Sequence, residues 1–294
     1  MMRRAGRRRD GGGAAEANGR RRPARGEGPG KARRATRADG PPGAGIGAGT
    51  GAGAGALLEA PLADGLRRLG LAGNRDLRQK LIAYLELLLF WNRSYNLVGD
   101  RDPRRILSRH VFDSLAFLPH VRGPSCLDLG SGAGFPGLPL ALALPRTRWV
   151  LLDSRLKCAR FLRQAVLELR LEHVAVVCER AERYRPAASF VTVVCRALTR
   201  LDRCYRLAAP LCAAQGRLLT AKGGGAAQNE LRQLAALGVS FRLHPLRNPA
   251  RAQPATLVEI PAAAPGASLP PNHSPLEGES ARRGRSPKSR RWGA

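Results

Sequence analysis

The chain has 294 residues, a net charge of +28 and 24% charged side chains. That length holds one or two domains, and no run of 18 apolar residues offers a membrane span. The Arg-rich start has neither the apolar stretch of a secretory signal nor the amphipathic, Ser-rich character of a transit peptide, so a cytoplasmic location is expected.

Residues 1–56 are mostly Arg, Gly, Ala and Pro without an aromatic, and residues 265–294 are rich in Pro, Ser, Gly and Arg. Neither segment can bury enough apolar surface to offset the entropy of ordering it, so both are expected to be disordered tails. The first holds 13 basic and 4 acidic side chains and the second 6 and 2, which leaves +15 on the middle of the chain. An excess of that size suits a partner with a polyanionic backbone, and it equally suits plain solubility. Cys126, Cys158, Cys178, Cys195, Cys204 and Cys212 are scattered through apolar segments with no CxxC pair. They are expected to act as small hydrophobes in a reducing compartment, with no metal site and no redox pair.

Residues 57–123 predict a helical region. Asn74 suits the cap of a helix that carries Leu77, Leu81, Leu85, Leu88 and Trp91 on one stripe. Trp91 and Tyr95 could stack on bases, but the end of an amphipathic helix makes packing the simpler expectation. After the connector "NRSYNLVGDRDP", Asp102 and Pro103 open a second helix that runs through Ile106, Leu107, Val111, Leu115 and Leu118 and stops at Pro119. His110 and Asp113 lie three apart on it, spaced to touch each other.

Residues 124–264 change rhythm to strand, helix, strand. Short apolar runs at 126–130, 149–153, 174–178, 190–195 and 217–222 predict strands buried on both faces of a parallel sheet. Helices are expected at 155–171, after a Thr199–Asp202 capping box, and at 226–237, where Gly238 ends the last one. The runs "VSFRL" and "TLVEI" predict a closing antiparallel hairpin. The alternation defines an α/β, doubly wound, Rossmann-like domain with a mostly parallel sheet.

The segment "DLGSGAGFPGLPL" (128–140) leaves the first strand and enters a helix, with Gly130, Gly132 and Gly134 spaced for a tight turn and close ligand approach. A dinucleotide site wants G-x-G-x-x-G and a helix start facing pyrophosphate. Here the spacing is G-x-G-x-G, and Pro136 and Pro139 remove amide donors from the opening turn. A ligand without phosphate is therefore favoured, and S-adenosylmethionine fits. Asp153, ending the second strand, stands where a carboxylate accepts from ribose hydroxyls.

With "WNRSYNLVGDRDP" (91–103), "RHVFDS" (109–114), "LLDSRLKCARFL" (151–162), "CRAL" (195–198) and "AKGG" (221–224) added, the chain resembles one known family from about Leu77 to Ile260. That family is the small-subunit (16S) ribosomal RNA guanine-N7 methyltransferases, also called glucose-inhibited division protein B. The resemblance implies a class I S-adenosylmethionine-dependent methyltransferase whose partner is ribosomal RNA or the small ribosomal subunit. It implies that Gly130, Phe135, Ala181, Glu182 and Arg196 contact the cofactor, and that Arg196 and Lys222 also face the reaction centre, placing the substrate without a general base. A role for His110 and Asp113 in closing over the cofactor or docking the helical region also follows from it. One departure is that Phe190 is followed by Val191 where the family has an acid. The alternatives are a protein or small-molecule methyltransferase, and an RNA-binding module with a degenerate pocket. No membrane partner is expected, and a monomer is favoured.

Overall fold

The computed structural model describes residues 52–262 except 197, 223–225 and 253–254. Of the two expected tails, only residues 52–56 fall within it. They begin a helix, α1 (Ala52–Arg68), ahead of the expected boundary at residue 57. Leu58, Leu62 and Leu66 recur every four residues along α1 and are fully or almost fully buried, which explains why the helix forms despite Gly53, Gly55 and Pro61.

Helix α2 (Arg75–Tyr95) is capped by Asn74, whose side chain accepts from the Leu77 N–H at 2.9 Å. Its stripe from Leu77 to Trp91 is buried, and Tyr95 packs on Trp91 with ring centroids 5.2 Å apart. Both aromatics are structural.

The expected helix from Pro103 is interrupted. It runs as α3 (Pro103–Ile106), a π-helical turn (Leu107–Val111), α4 (Phe112–Leu115) and a 3-10 turn (Leu118–His120). Asp102 caps the start as expected.

Seven strands follow: β1 (Ser125–Leu129), β2 (Arg148–Leu152), β3 (Val174–Val177), β4 (Phe190–Arg196), β5 (Cys212–Lys222), β6 (Arg242–Leu246) and β7 (Ala255–Pro261). The intervening helices are α5 (Gly137–Ala143), α6 (Leu156–Glu168), α7 (Leu201–Ala208) and α8 (Ala226–Ala236). The sheet order is β3-β2-β1-β4-β5-β7-β6, parallel from β3 to β5 and antiparallel in the β5–β7–β6 edge. Pro245, which cannot donate to a ladder, sits in the edge strand β6 where that is harmless.

Two hydrophobic cores lie on the two faces. One joins α1, α2, α5 and α6 to Cys126, Trp149 and Leu219; the other joins α7 and α8 to Leu127, Val193 and Val258. The helical region therefore shares a core with the sheet. Burial pushes the thiols of Cys126 and Cys212 up to about 12, as inert packing groups require. The sulfurs of Cys195 and Cys204 meet in the second core, but their Cα atoms are 7.7 Å apart, wider than a disulfide spans. They act as packed thiols.

The Thr199–Asp202 capping box does not form. The Leu201 N–H at the start of α7 donates instead to the Glu230 carboxylate of α8 at 2.9 Å. The α1–α4 contact depends on Gly65, where a Cβ would fall inside the Phe112 ring. Gly65→Ala should overpack this contact and cost about 1–3 kcal/mol, lowering the melting temperature in calorimetry. An unchanged melting temperature would show that α1 docks by other means.

Candidate functional site

Sheet order reverses at β1 and β4, and in such sheets the crevice outside the strands' carboxyl ends at the reversal is where ligands bind. A cavity of about 520 Å³ opens there. Residues following β1 (Gly130 to Ala133, and Phe135), β2 (Asp153 to Arg155) and β3 (Glu179 to Glu182), and those at and after the end of β4 (Arg196, Leu198, Thr199), line it, joined by Val98 and His110 from the helical region.

The bend after β1 has positive φ at Gly130 (77°), Gly132 (60°) and Gly134 (99°), a conformation that side chains disfavour. Most of its amides are occupied within the protein. Gly130 and Ser131 donate to the Leu152 carbonyl at 2.8 and 3.0 Å, and Gly134 and Phe135 donate to the Ser131 carbonyl at 2.7 and 3.0 Å. The Gly132 and Gly137 N–H groups go to the carboxylates of Asp153 and Asp128, each at 2.8 Å. The helix start thus presents no array of free donors to a phosphate, and the expected exclusion of pyrophosphate has a structural reason.

Asp128 is fully buried, and its Oδ1 has no hydrogen-bond partner. Burial raises its pKa to about 7 against the opposing pull of the Gly137 amide and the Ser131 hydroxyl. Asp153 behaves oppositely. Burial raises its pKa, but hydrogen bonds from Arg155 and the Gly132 amide outweigh that and hold the carboxyl below its ordinary value. Arg155 grips Asp153 through its backbone N–H (2.9 Å), Nε (3.1 Å) and Nη2 (3.0 Å), and its side chain is 55% exposed.

Phe135, joined to Pro136 by a cis peptide, is the hub of the other wall. The His110 ring stacks on it with centroids 5.1 Å apart, the Arg196 guanidinium carbon lies 5.4 Å from its centroid, and Tyr84 meets it edge-on at 5.6 Å. Tyr84 in turn donates to the Ala133 carbonyl at 2.6 Å, fixing the bend from α2. Arg196 donates to His110 Nδ1 at 2.6 Å and to the Arg109 carbonyl at 3.0 Å. Burial, reinforced by the Arg196 charge, lowers the His110 pKa, which leaves a neutral ring whose Nδ1 can accept from that donor. His110 Nε2 lies 3.3 Å from Asp100, out of hydrogen-bond alignment.

Among the expected site residues, Gly130, Gly132, Phe135, Asp153, Ala181, Glu182 and Arg196 line the cavity. Gly134 does not; it shapes the turn, where a Cβ would strike Leu138. Lys222 does not line it either. Its Nζ is held by the Thr199 carbonyl and the Glu230 carboxylate, both at 2.9 Å, so it stands behind Thr199 rather than facing the crevice. Glu182 is half-exposed and pairs with Arg203 at 3.4 Å; a hydrogen bond from its own N–H, with help from Arg203, keeps its pKa below the usual value. His110 and Asp113 do not touch each other as their spacing suggested, but share Arg196, which is 3.9 Å from Asp113.

Besides Tyr84, which holds the bend, three residues escaped sequence reasoning. Asn92 is buried and staples the connector, accepting from the Val98 N–H at 2.9 Å and donating to the Val98 and Asp100 carbonyls. Asn248 and Arg251, from the β6–β7 connection, bind Asp113 at 2.6 and 2.8 Å. The "WN" of the connector motif was a signal for Asn92. Nothing local marks the other two.

Sheet order, the glycine bend and the acidic second-strand end define a class I S-adenosylmethionine-dependent methyltransferase. The chain belongs to the GidB family, rRNA small subunit methyltransferase G, which matches residues 77–247. It is 49% identical over 162 residues to the ribosomal RNA small subunit methyltransferase G of Alkalilimnicola ehrlichii, covering 55% of this chain and 74% of that protein. Similar proteins of the same description are found in Nitrosospira multiformis (47% over 169 residues; 55% and 78% covered) and Pseudomonas paraeruginosa (43% over 183 residues; 62% and 84% covered).

The raised Asp128 pKa predicts a pH signature. The folded state keeps a proton that the unfolded chain releases near its ordinary value of about 3.9. Stability contributed by this group is therefore full below about pH 4 and lost as pH rises through the folded pKa of about 7. Thermal melts of wild type and Asp128→Asn across this range should diverge progressively in the variant's favour. A constant difference would contradict the buried, protonated carboxyl.

Proposed function

We propose that the chain methylates N7 of a guanine in 16S ribosomal RNA, acting as a monomer in the cytoplasm on the RNA or the small ribosomal subunit. The observation that carries the reading is the cavity at the β1/β4 reversal, floored by a bend with no free amide array and flanked by an ionised carboxylate. Its volume lies within the range of small-molecule sites, about 300–1,000 Å³. When bound, S-adenosylmethionine supplies an electrophilic methyl group on a sulfonium.

Asp153 is assigned the ribose hydroxyls, Ala181 and Glu182 the nucleoside base, and Gly130 and Gly132 the close backbone approach. Phe135 and Arg196 are assigned the wall beside the transferring methyl. Guanine N7 attacks with an in-plane lone pair, so no residue has to remove a proton first. The chain's task is alignment, which is worth about 7–11 kcal/mol when reacting groups are held in line. Arg196, with His110 and Phe135 fixing its plane, is placed for this work; Lys222 supports it by holding Thr199. Exposed Arg180 and Arg203, which line the cavity, and exposed Arg109 beside His110 supply charge for RNA phosphates.

Small subunits from cells lacking the modification, incubated with the protein and labelled cofactor, should gain one methyl at an N7 position, detected by borohydride–aniline strand cleavage. Cofactor binding without transfer would instead support an RNA-binding module, and transfer only to protein or a small molecule would overturn the substrate assignment. Arg196→Lys keeps the charge but loses the planar fork, and should slow transfer by about tenfold to a hundredfold with cofactor binding less affected. Lys222→Ala should likewise lower transfer more than cofactor affinity in titration calorimetry; the reverse would contradict its placement behind Thr199.

Arg155 holds the carboxylate assigned to ribose. Arg155→Leu should therefore tighten cofactor binding by about two- to fivefold, the scale of an ion pair whose arginine end is solvent-exposed. Weaker binding would show that Arg155 assists the cofactor rather than competing with it.

A further inference from the structure

Away from the cavity, three side chains from separate segments converge beneath the edge hairpin. His120 ends the 3-10 turn before β1, His244 lies in β6 and Glu259 in β7. In the β6–β7 register Arg242 faces Glu259 and His244 faces Leu257, which makes His244 and Glu259 diagonal neighbours on one face of the sheet. One ligand atom from each of the three lies within 4.8 Å of the other two. His244 Nε2 is 2.8 Å from Glu259 Oε2, and the two imidazole centroids are 4.6 Å apart.

We propose that His120, His244 and Glu259 form a binding site for a zinc-class divalent cation, which ties the edge hairpin to the turn leading into β1.

The geometry needs only side-chain adjustment. Ligand bonds of about 2.0–2.1 Å in a tetrahedral site place ligand atoms roughly 3.3 Å apart. The close His244–Glu259 pair has to open slightly and His120 has to swing inward. His120 can do so, since among the described residues its ring makes no hydrogen bond and its ring contact is with His244. The carboxylate is already oriented. Arg217 from β5 donates to Glu259 Oε1 at 2.7 Å, leaving Oε2 turned towards the imidazoles. Holding a ligating carboxylate by its second oxygen is the usual outer support of a metal site.

An arginine–glutamate pair alone would explain Arg217, Glu259 and even His244. It gives no reason for a second imidazole packed against the first. Two imidazoles and one carboxylate suit zinc, cobalt or nickel rather than magnesium or calcium, which take oxygen ligands. The Arg217 and Arg122 charges beside the site limit affinity, so the site is expected to be weaker than an all-cysteine structural zinc site. Its role is structural: an ion held from three segments stabilises the folded state by mass action. The inference stands apart from the methyl-transfer reading.

The test uses the full-length, untagged, metal-stripped protein titrated with cobalt(II). One equivalent should give the visible absorption of a tetrahedral site and be displaced by zinc, and zinc should raise the melting temperature. His120→Ala and His244→Ala should each weaken binding at least tenfold and abolish the melting shift, while His173→Ala, outside the cluster, should retain both. Cofactor binding by the variants checks that they fold. No stoichiometric cobalt band in the wild type, or a band that survives both cluster substitutions, would overturn the proposal.

Discussion

The structure depends on the way one short bend satisfies its own backbone. Between β1 and α5 the chain reverses through three glycines, and two acidic side chains close the turn from opposite sides. Asp128 holds the amide that starts α5, and Asp153 holds the amide at the bend's tip. A Rossmann-like bend that leaves those donors free becomes a phosphate cradle. Here they are committed, and what remains is close backbone approach beside one ionised carboxylate. That combination suits a nucleoside carrying a cationic side chain, and it sets the class of reaction before any substrate residue is considered.

The opposite wall reaches the cavity by a longer route. The π-helical turn at Leu107–Val111 departs from regular helical spacing, and the Arg109 and His110 carbonyls accept from Arg196 at 3.0 and 3.5 Å. Arg196 is thereby held over the Phe135 ring, with His110 as a neutral acceptor. Asp113 gathers Arg196, Asn248 and Arg251, so the β6–β7 connection, the helical region and the end of β4 meet at one carboxylate. This is a direct physical reason for the helical region to share the sheet's core instead of forming a separate lobe.

Much of the fold was legible because its signals are local. Continuous apolar runs marked each parallel strand to within a residue or two at most ends, the Asn74 and Asp102 caps were placed correctly, and the glycine spacing singled out the bend. The failures share a cause in long-range contact. β5 starts at Cys212 rather than residue 217 because Cys212 pairs with Phe190 across an irregular register, where a Cβ at Gly216 would strike the Phe190 and Ala213 carbonyls. The capping of α7 comes from Glu230, far along the chain, and no local box could reveal it. Lys222 sits at the correct strand end, yet its charge is spent on Glu230, a partner that spacing does not disclose. The His120, His244 and Glu259 cluster was invisible for the same reason. Its members lie on three segments with no motif between them.

The central claim, that the bend is built for a sulfonium nucleoside and against a pyrophosphate, is tested most directly by competition binding. Labelled S-adenosylmethionine should bind one equivalent of the protein, be displaced by S-adenosylhomocysteine, and be indifferent to nicotinamide dinucleotides. Gly132→Val, which forces a branched side chain into positive φ, should abolish that binding. Saturable uptake of a dinucleotide, or undiminished cofactor binding by the valine variant, would contradict the account.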